Sequence, residues 1–125
     1  MIKIFERFNE LDPYGEENWE DDESMTVGNL MVSKNLGMCK WYEAIELCKD
    51  IKENGHDDWR LPTKEELNEL YKYHKKFGGF GNYIYWSSSD YLFDTHAWCQ
   101  SFDNGDQGAN YKKYLGIYVR AVRNL

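Results

Sequence analysis

The spacing of apolar residues divides the chain into a helical middle and strand-like flanks. Residues 1–9 alternate, with Ile2, Ile4 and Phe8 apolar among polar neighbours, which predicts a strand. Residues 26–32 (TVGNLMV) read as a short apolar strand interrupted by a Gly-Asn turn. Over residues 41–53 the periodicity changes: Trp41, Ala44, Ile45, Cys48 and Ile51 fall on one face of a 3.6-residue repeat. Asn54-Gly55 is a stop signal, because glycine accepts a left-handed conformation at a helix end. A second helix begins after Pro62. Thr63 and Glu66 have capping-box spacing, and Leu67, Leu70, Tyr71 and His74 form its inner face up to Gly78-Gly79. His74 on that face reads as a core or boundary histidine.

After residue 80 the period returns to two. Residues 83–88 (YIYWSS) and 97–102 predict strands, and Asp103-Asn104-Gly105-Asp106 predicts a hairpin turn. Residues 117–123 (IYVRAVR) predict a third, closing strand. Two helices followed by a run of strands, with another strand at the start, imply an α+β fold and not a parallel α/β one. The 125 residues are expected to form a single domain spanning 1–125.

Charge alters this picture at one place. Residues 10–23 carry eight acids and no base, while the chain as a whole has a net charge of -7. The rest is therefore close to neutral, and the acidic stretch reads as a solvated loop. With no basic stripe, nucleic acid is not expected as a partner. No apolar run is long enough to span a bilayer, so membrane insertion is not expected either. The first residues lack the pattern of a signal peptide, and the expected place of synthesis is the cytoplasm, with later incorporation into a virion left open. Three cysteines, Cys39, Cys48 and Cys99, have no metal-ligand spacing and read as reduced, structural thiols. Aromatic residues reach 17%, more than a small core needs, which points to rings facing a partner.

Several elements form an ordered series: Trp41-x2-Ala44-x3-Cys48; Gly55-x2-Asp58-Trp59-Arg60-Leu61-Pro62-Thr63-x2-Glu66-Leu67; Tyr85-Trp86-Ser87-Ser88; Ala97-Trp98; Phe102-x2-Gly105; and Val119-Arg120-x-Val122-Arg123. Over residues 26–123 the series resembles the bacterial and phage domain family typified by the C-terminal domain of a collagen-like adhesin, within the C-type lectin-like superfamily. It is also similar to the variable proteins of diversity-generating retroelements. The resemblance implies two helices packed on a twisted antiparallel sheet, with N- and C-terminal strands paired. Asp58 and Arg60 are expected to pair or to bond backbone, Trp59 and Leu61 to fill core, and Ser87 and Ser88 to satisfy buried backbone groups. Three departures stand out. Ala121 occupies a position where the family often has a cysteine able to pair with Cys48; Val32 stands where an aromatic is common; and 10–23 reads as an insertion.

The chemistry expected from these residues is binding. The ligand triplets of calcium-dependent lectins are missing, and Asp103, Asn104 and Asp106 read as a turn and not as an oxygen cage. His96 and Cys99 are three apart on a strand and should face opposite sides, so no Cys–His nucleophile is expected. No enzyme, metal or cofactor is expected. In the resembling retroelement proteins the ligand face lies between the Trp-Ser-Ser element and the closing strand. On this chain that implies Tyr91, Phe93, Asp94, His96, Gln100, Asn104, Asp106, Asn110 and Tyr111 as ligand-binding residues, with Trp98 and Phe102 assigned to core. The expected partner is a protein or a glycan, and the expected role is surface attachment. The competing reading is an intracellular effector acting through the acidic 10–23 segment.

Overall fold

The computed structural model describes residues 25–125, so the strand expected at 1–9 and the acidic stretch 10–23 lie outside the described residues. Strands β1 (Met25–Val27) and β2 (Leu30–Val32) form a hairpin about Gly28-Asn29. Helices α1 (Trp41–Asp50) and α2 (Lys64–Phe77) follow, with a short 3-10 turn, Glu53–Gly55, between them. Strands β3 (Ile84–Asp90), β4 (His96–Ser101), β5 (Gln107–Tyr111) and β6 (Val122–Asn124) complete the chain. They make two antiparallel three-stranded sheets, ordered β1-β2-β6 and β3-β4-β5. The fold is α+β, and the hairpin of the first described strands pairs through β2 with the last strand, β6.

Local chemistry explains the helix ends. The Thr63 hydroxyl accepts the Glu66 N–H at 3.1 Å, and the Glu66 carboxylate accepts the Thr63 N–H at 2.9 Å, so the predicted capping box is present. Gly78, at φ 73°, donates its N–H to the His74 carbonyl and closes α2. Helix α1 ends at Asp50, three residues before the sequence expectation. Lys52, Asn54 and Gly55 lead the chain through the 3-10 turn, where Asn54 adopts φ 57°.

The sheet β3-β4-β5 separates two hydrophobic clusters. Trp86, Ala97 and Cys99 point to the α1 side and meet Trp41, Ala44, Cys48, Trp59, Leu61, Ile117, Val119 and Ala121. Tyr85 and Phe102 point to the α2 side and meet Leu67, Leu70, Phe80 and the apolar residues of β1, β2 and β6. Ala121 and Cys48 thus share one cluster, consistent with the cysteine pairing that the resemblance implies for relatives.

Two strands differ from the sequence expectation. In the segment 117–123 Ile117, Val119 and Ala121 are buried, but Arg120 and Val122 of the opposite set are buried as well, so the expected alternation is lost after Val119, and only Val122–Asn124 forms a ladder. Upstream it lies between two partners: Ile117, Val119 and Ala121 carbonyls accept from Cys39, Leu36 and Ser33, while Tyr118 bonds to Ile84 and Trp86 on β3. Such divided bonding ties the two sheets together instead of extending either. The other is β5, QGANY, which has no apolar alternation to betray it because it is an edge strand.

The Asp-Trp-Arg-Leu-Pro-Thr run is scaffold, with different pairings from those expected. Asp58 and Arg60 do not pair with each other, although Arg60 meets the backbone alternative by donating to the Leu61 carbonyl at 3.4 Å. Arg60 grips Glu66 through two bonds of 2.7 and 2.8 Å and reaches Asn124, while Asp58 accepts from Arg123 at 2.5 Å. The Glu66 bonds tie the loop to the helix that follows it, and the Asn124 and Arg123 bonds tie it to β6, more than sixty residues away.

Candidate functional site

Strand β3 turns into β4 through a tight loop. The Tyr91 N–H donates to the His96 carbonyl and the His96 N–H to the Phe93 carbonyl. Just before the loop, β3 loses register with β4 between Trp86 and Asp90. Ser87 fills that break: its hydroxyl donates to the Trp98 carbonyl at 2.8 Å and accepts the Ser89 N–H at 3.0 Å. Ser88, expected to act likewise, is exposed at its side chain. Ser89 takes the role instead, its Oγ accepting the Lys64 N–H at the start of α2. The loop is therefore fixed to both sheet and helix at its base.

On this base stands a contiguous group of rings. Tyr91 meets Trp98 edge-on at 4.9 Å between centroids, Phe93 at 5.7 Å and His96 at 6.3 Å. Phe93 and His96 are 5.9 Å apart, and His96 lies against Tyr111 at 4.5 Å. These edge-on and tilted arrangements suit the ring quadrupoles. The Lys64 ammonium sits 3.6 Å above the Trp98 ring, a cation–π contact. Phe93 and Tyr111 are each 61% exposed, and Leu92 beside them is more exposed still. Asp94 is exposed at the tip of the same loop.

Strand parity decides which expected residues join this group. Across β4 and β5, His96 faces Tyr111, Trp98 faces Ala109, and Gln100 faces Gln107, all on the α2 side. Ala97–Asn110 and Cys99–Gly108 occupy the other side. Asn110 accordingly bonds to the Cys99 sulfur at 3.2 Å and does not reach the rings. Gln100 shares the rings' face, but it is fully buried. Its amide donates to Asn68 and to the Gly105 carbonyl, and its oxygen accepts from Gln107. Asn104 and Asp106 lie at the hairpin tip, beyond the far end of β4 and about 17 Å from His96 at strand rise. There the Asn104 carboxamide oxygen accepts the Asp106 N–H, closing the turn.

The structure thus brings together Tyr91, Phe93, Asp94, His96 and Tyr111 and leaves Gln100, Asn104, Asp106 and Asn110 elsewhere. It adds Trp98, Lys64 and Leu92. Trp98 is half-buried in the ring group and is not part of either core cluster, whereas Phe102 is core. The signal available in the sequence was parity: a core-facing Cys99 puts Trp98 on the same side as His96.

His96 and Cys99 face opposite sides of β4, so no Cys–His pair forms. Burial pushes the Cys99 thiol up and the Cys48 thiol to about 12, which keeps both protonated and poorly nucleophilic. Among the described residues no group of His, Cys, Asp and Glu side chains is arranged to hold a metal. A separate groove of about 700 Å³ runs between the β1–β2 turn and α2, lined by Val27, Leu30, Glu65, Tyr73 and Phe77. Two of its carboxylates are already committed, Glu66 to Arg60 and Glu69 to Lys72.

The family described as the Lcl C-terminal domain matches residues 15–123. Among solved structures the chain is similar to the crystal structure of botrocetin, with a TM-score of 0.55 and 11% sequence identity. That likeness covers 82% of this chain and 97% of that one, and at this identity it speaks to fold alone. No curated protein matches the chain in sequence.

Proposed function

The chain belongs to the Lcl C-terminal domain family, and from that premise we propose that it is a non-enzymatic recognition module that binds a protein or glycan through the ring group at the β3–β4 loop and β5. One observation carries the reading: Tyr91, Phe93, His96, Trp98 and Tyr111 form a continuous aromatic surface, with Phe93 and Tyr111 largely in solvent. Exposed aromatic area of this kind costs solubility unless something covers it. Tyr and Trp offer rigid amphipathic area for a protein epitope or a sugar ring alike. Lys64 and Asp94 at the margin supply charge and hydrogen bonding that can set orientation. The contacts need neither metal nor covalent chemistry, and surface attachment of a phage or bacterium is the setting in which we place them.

The test is a screen of the wild-type domain against a glycan array and a displayed peptide library, with and without chelator. The selected ligand is then measured against Tyr91→Ala, Phe93→Ala and Tyr111→Ala. Binding that survives chelator and falls in these variants supports the reading. Binding unchanged in all three, yet abolished by charge reversal at residues 20–23, transfers the function to the acidic segment.

A further inference from the structure

Strand β5 is an edge, and its hydrogen-bonding groups are directed in a definite way. The ladder with β4 begins with the Ser101 N–H donating to Asp106 and ends with the Lys112 N–H donating to Thr95. Bonded pairs alternate along an antiparallel ladder, so Gly108 and Asn110 bond to β4 while Gln107, Ala109 and Tyr111 aim their N–H and C=O groups outward. Among the described residues the only backbone group to meet this outer side is the Tyr114 N–H, at the Tyr111 carbonyl. The edge Gln107–Tyr111 contains no charge and no proline, the residues that commonly protect edges. Gly108 adds no bulk: a Cβ placed there would meet nothing within 4 Å.

We propose that β5 is the pairing edge of a symmetric dimer, the occupant being β5 of a second copy, antiparallel about Ala109. Three features match an edge to its own copy. Antiparallel pairing about residue 109 sets outward-facing residues against outward-facing residues: Ala109 exchanges N–H and C=O bonds with its mate, and the Tyr111 N–H donates to the second copy's Gln107 carbonyl. The small Ala109 side chain lies at the axis, where two copies approach most closely. The ends also differ in charge. Asp103 and Asp106 precede β5 and the exposed Lys113 follows it, so the antiparallel arrangement brings the acidic end of each copy to the basic end of the other. An isologous contact of this type closes on itself and stops at two copies.

The arrangement has a consequence for binding. An axis perpendicular to the sheet keeps the α2 side of β3-β4-β5 on one side of a joined six-stranded sheet. Both ring groups then face the same way, and a repetitive ligand could be held at two points with a gain in avidity. The dimer does not depend on what the rings bind, and the two proposals fail separately.

The experiment is sedimentation equilibrium of the full chain up to millimolar concentration, joined to amide hydrogen exchange. The wild-type protein is expected to dimerise reversibly, with the Gln107, Ala109 and Tyr111 amides gaining protection as concentration rises. Ala109→Pro removes an N–H that β4 does not use, so folding is retained while one bond from each copy is lost. Association should weaken about tenfold or more. Asp106→Lys and Lys113→Asp should each weaken it, and the double exchange should restore it. A wild-type protein that stays monomeric throughout, Ala109→Pro dimerising as wild type, or a double exchange that fails to rescue would each overturn the proposal. Phe93→Ala, away from the edge, should dimerise normally and so keeps this test apart from that of the ring surface.

Discussion

At one end of the β4–β5 ribbon Gln100 is fully buried beneath α2 and its neighbour Gln107 half-buried; at the other His96 and Tyr111 pair across the same strands with Tyr111 mostly in water. The two ends share a face and a mixture of polar and aromatic residues. They differ in what their neighbours consume. At the buried end Asn68, the Lys64 carbonyl and the Gly105 carbonyl take up the amide donors of Gln100 and Gln107. Phe102 is enclosed by Tyr71, His74, Phe80 and Tyr85. At the open end the rings meet mainly one another, and α2 contributes only Lys64. Recognition potential lies where a rigid scaffold leaves area unspent, and residue type alone does not reveal where that is.

Phe102→Ala attacks the closed end hardest. Removing a fully buried ring should cost about 3–5 kcal/mol of stability, read as a shifted denaturant midpoint. Gly105→Ala comes next. Gly105 has φ 87°, and a Cβ there would fall 2.5 Å from the Tyr71 ring, so a loss of about 1–3 kcal/mol is expected from strain and overpacking. Gln100→Leu should cost a similar or smaller amount, about 1–3 kcal/mol, because Asn68, Gly105 and Gln107 lose their partner. It should leave ligand affinity unchanged. A Gln100→Leu protein that folds normally but no longer binds would extend the site into the closed end.

The smallest effect concerns pH. The Arg60 guanidinium holds the Glu66 carboxyl below its ordinary range. A carboxyl depressed in the folded state stabilises above its unfolded pKa of about 4.3, and that contribution is lost as pH falls through the folded value. Because Arg60 is 40% exposed, solvent screening limits the contribution to about 1 kcal/mol or less. Denaturant titrations at successively lower pH should show this loss in wild type and a flatter profile in Glu66→Gln.

Much of the closed end was legible because its signals are local. Thr63 and Glu66 are three apart, and Leu67 and Leu70 mark one helical face. Asn104-Gly105 announces its turn. The ordered motif series extended this to the fold as a whole. The open end was legible as a stretch of chain but not as a surface. Deciding that Asn110 faces Cys99 while Tyr111 faces His96 requires the β4–β5 register, and β5 itself carries no hydrophobic period. The ion-pair partners of the 58–60 loop were hidden for a similar reason, one of them six residues away and the other sixty-five. Asp58 and Arg60 are neighbours in sequence, yet they point to Arg123 and Glu66, partners that only the packing of β6 and α2 brings near.

Affinity and stability should separate between the two ends, and the affinity of Phe93→Ala for the ligand selected by the wild-type domain, taken beside its melting temperature, shows whether they do. The expected result is a loss of affinity of about thirtyfold at an essentially unchanged melting temperature. Wild-type affinity in Phe93→Ala, and likewise in Tyr91→Ala and Tyr111→Ala, would contradict it.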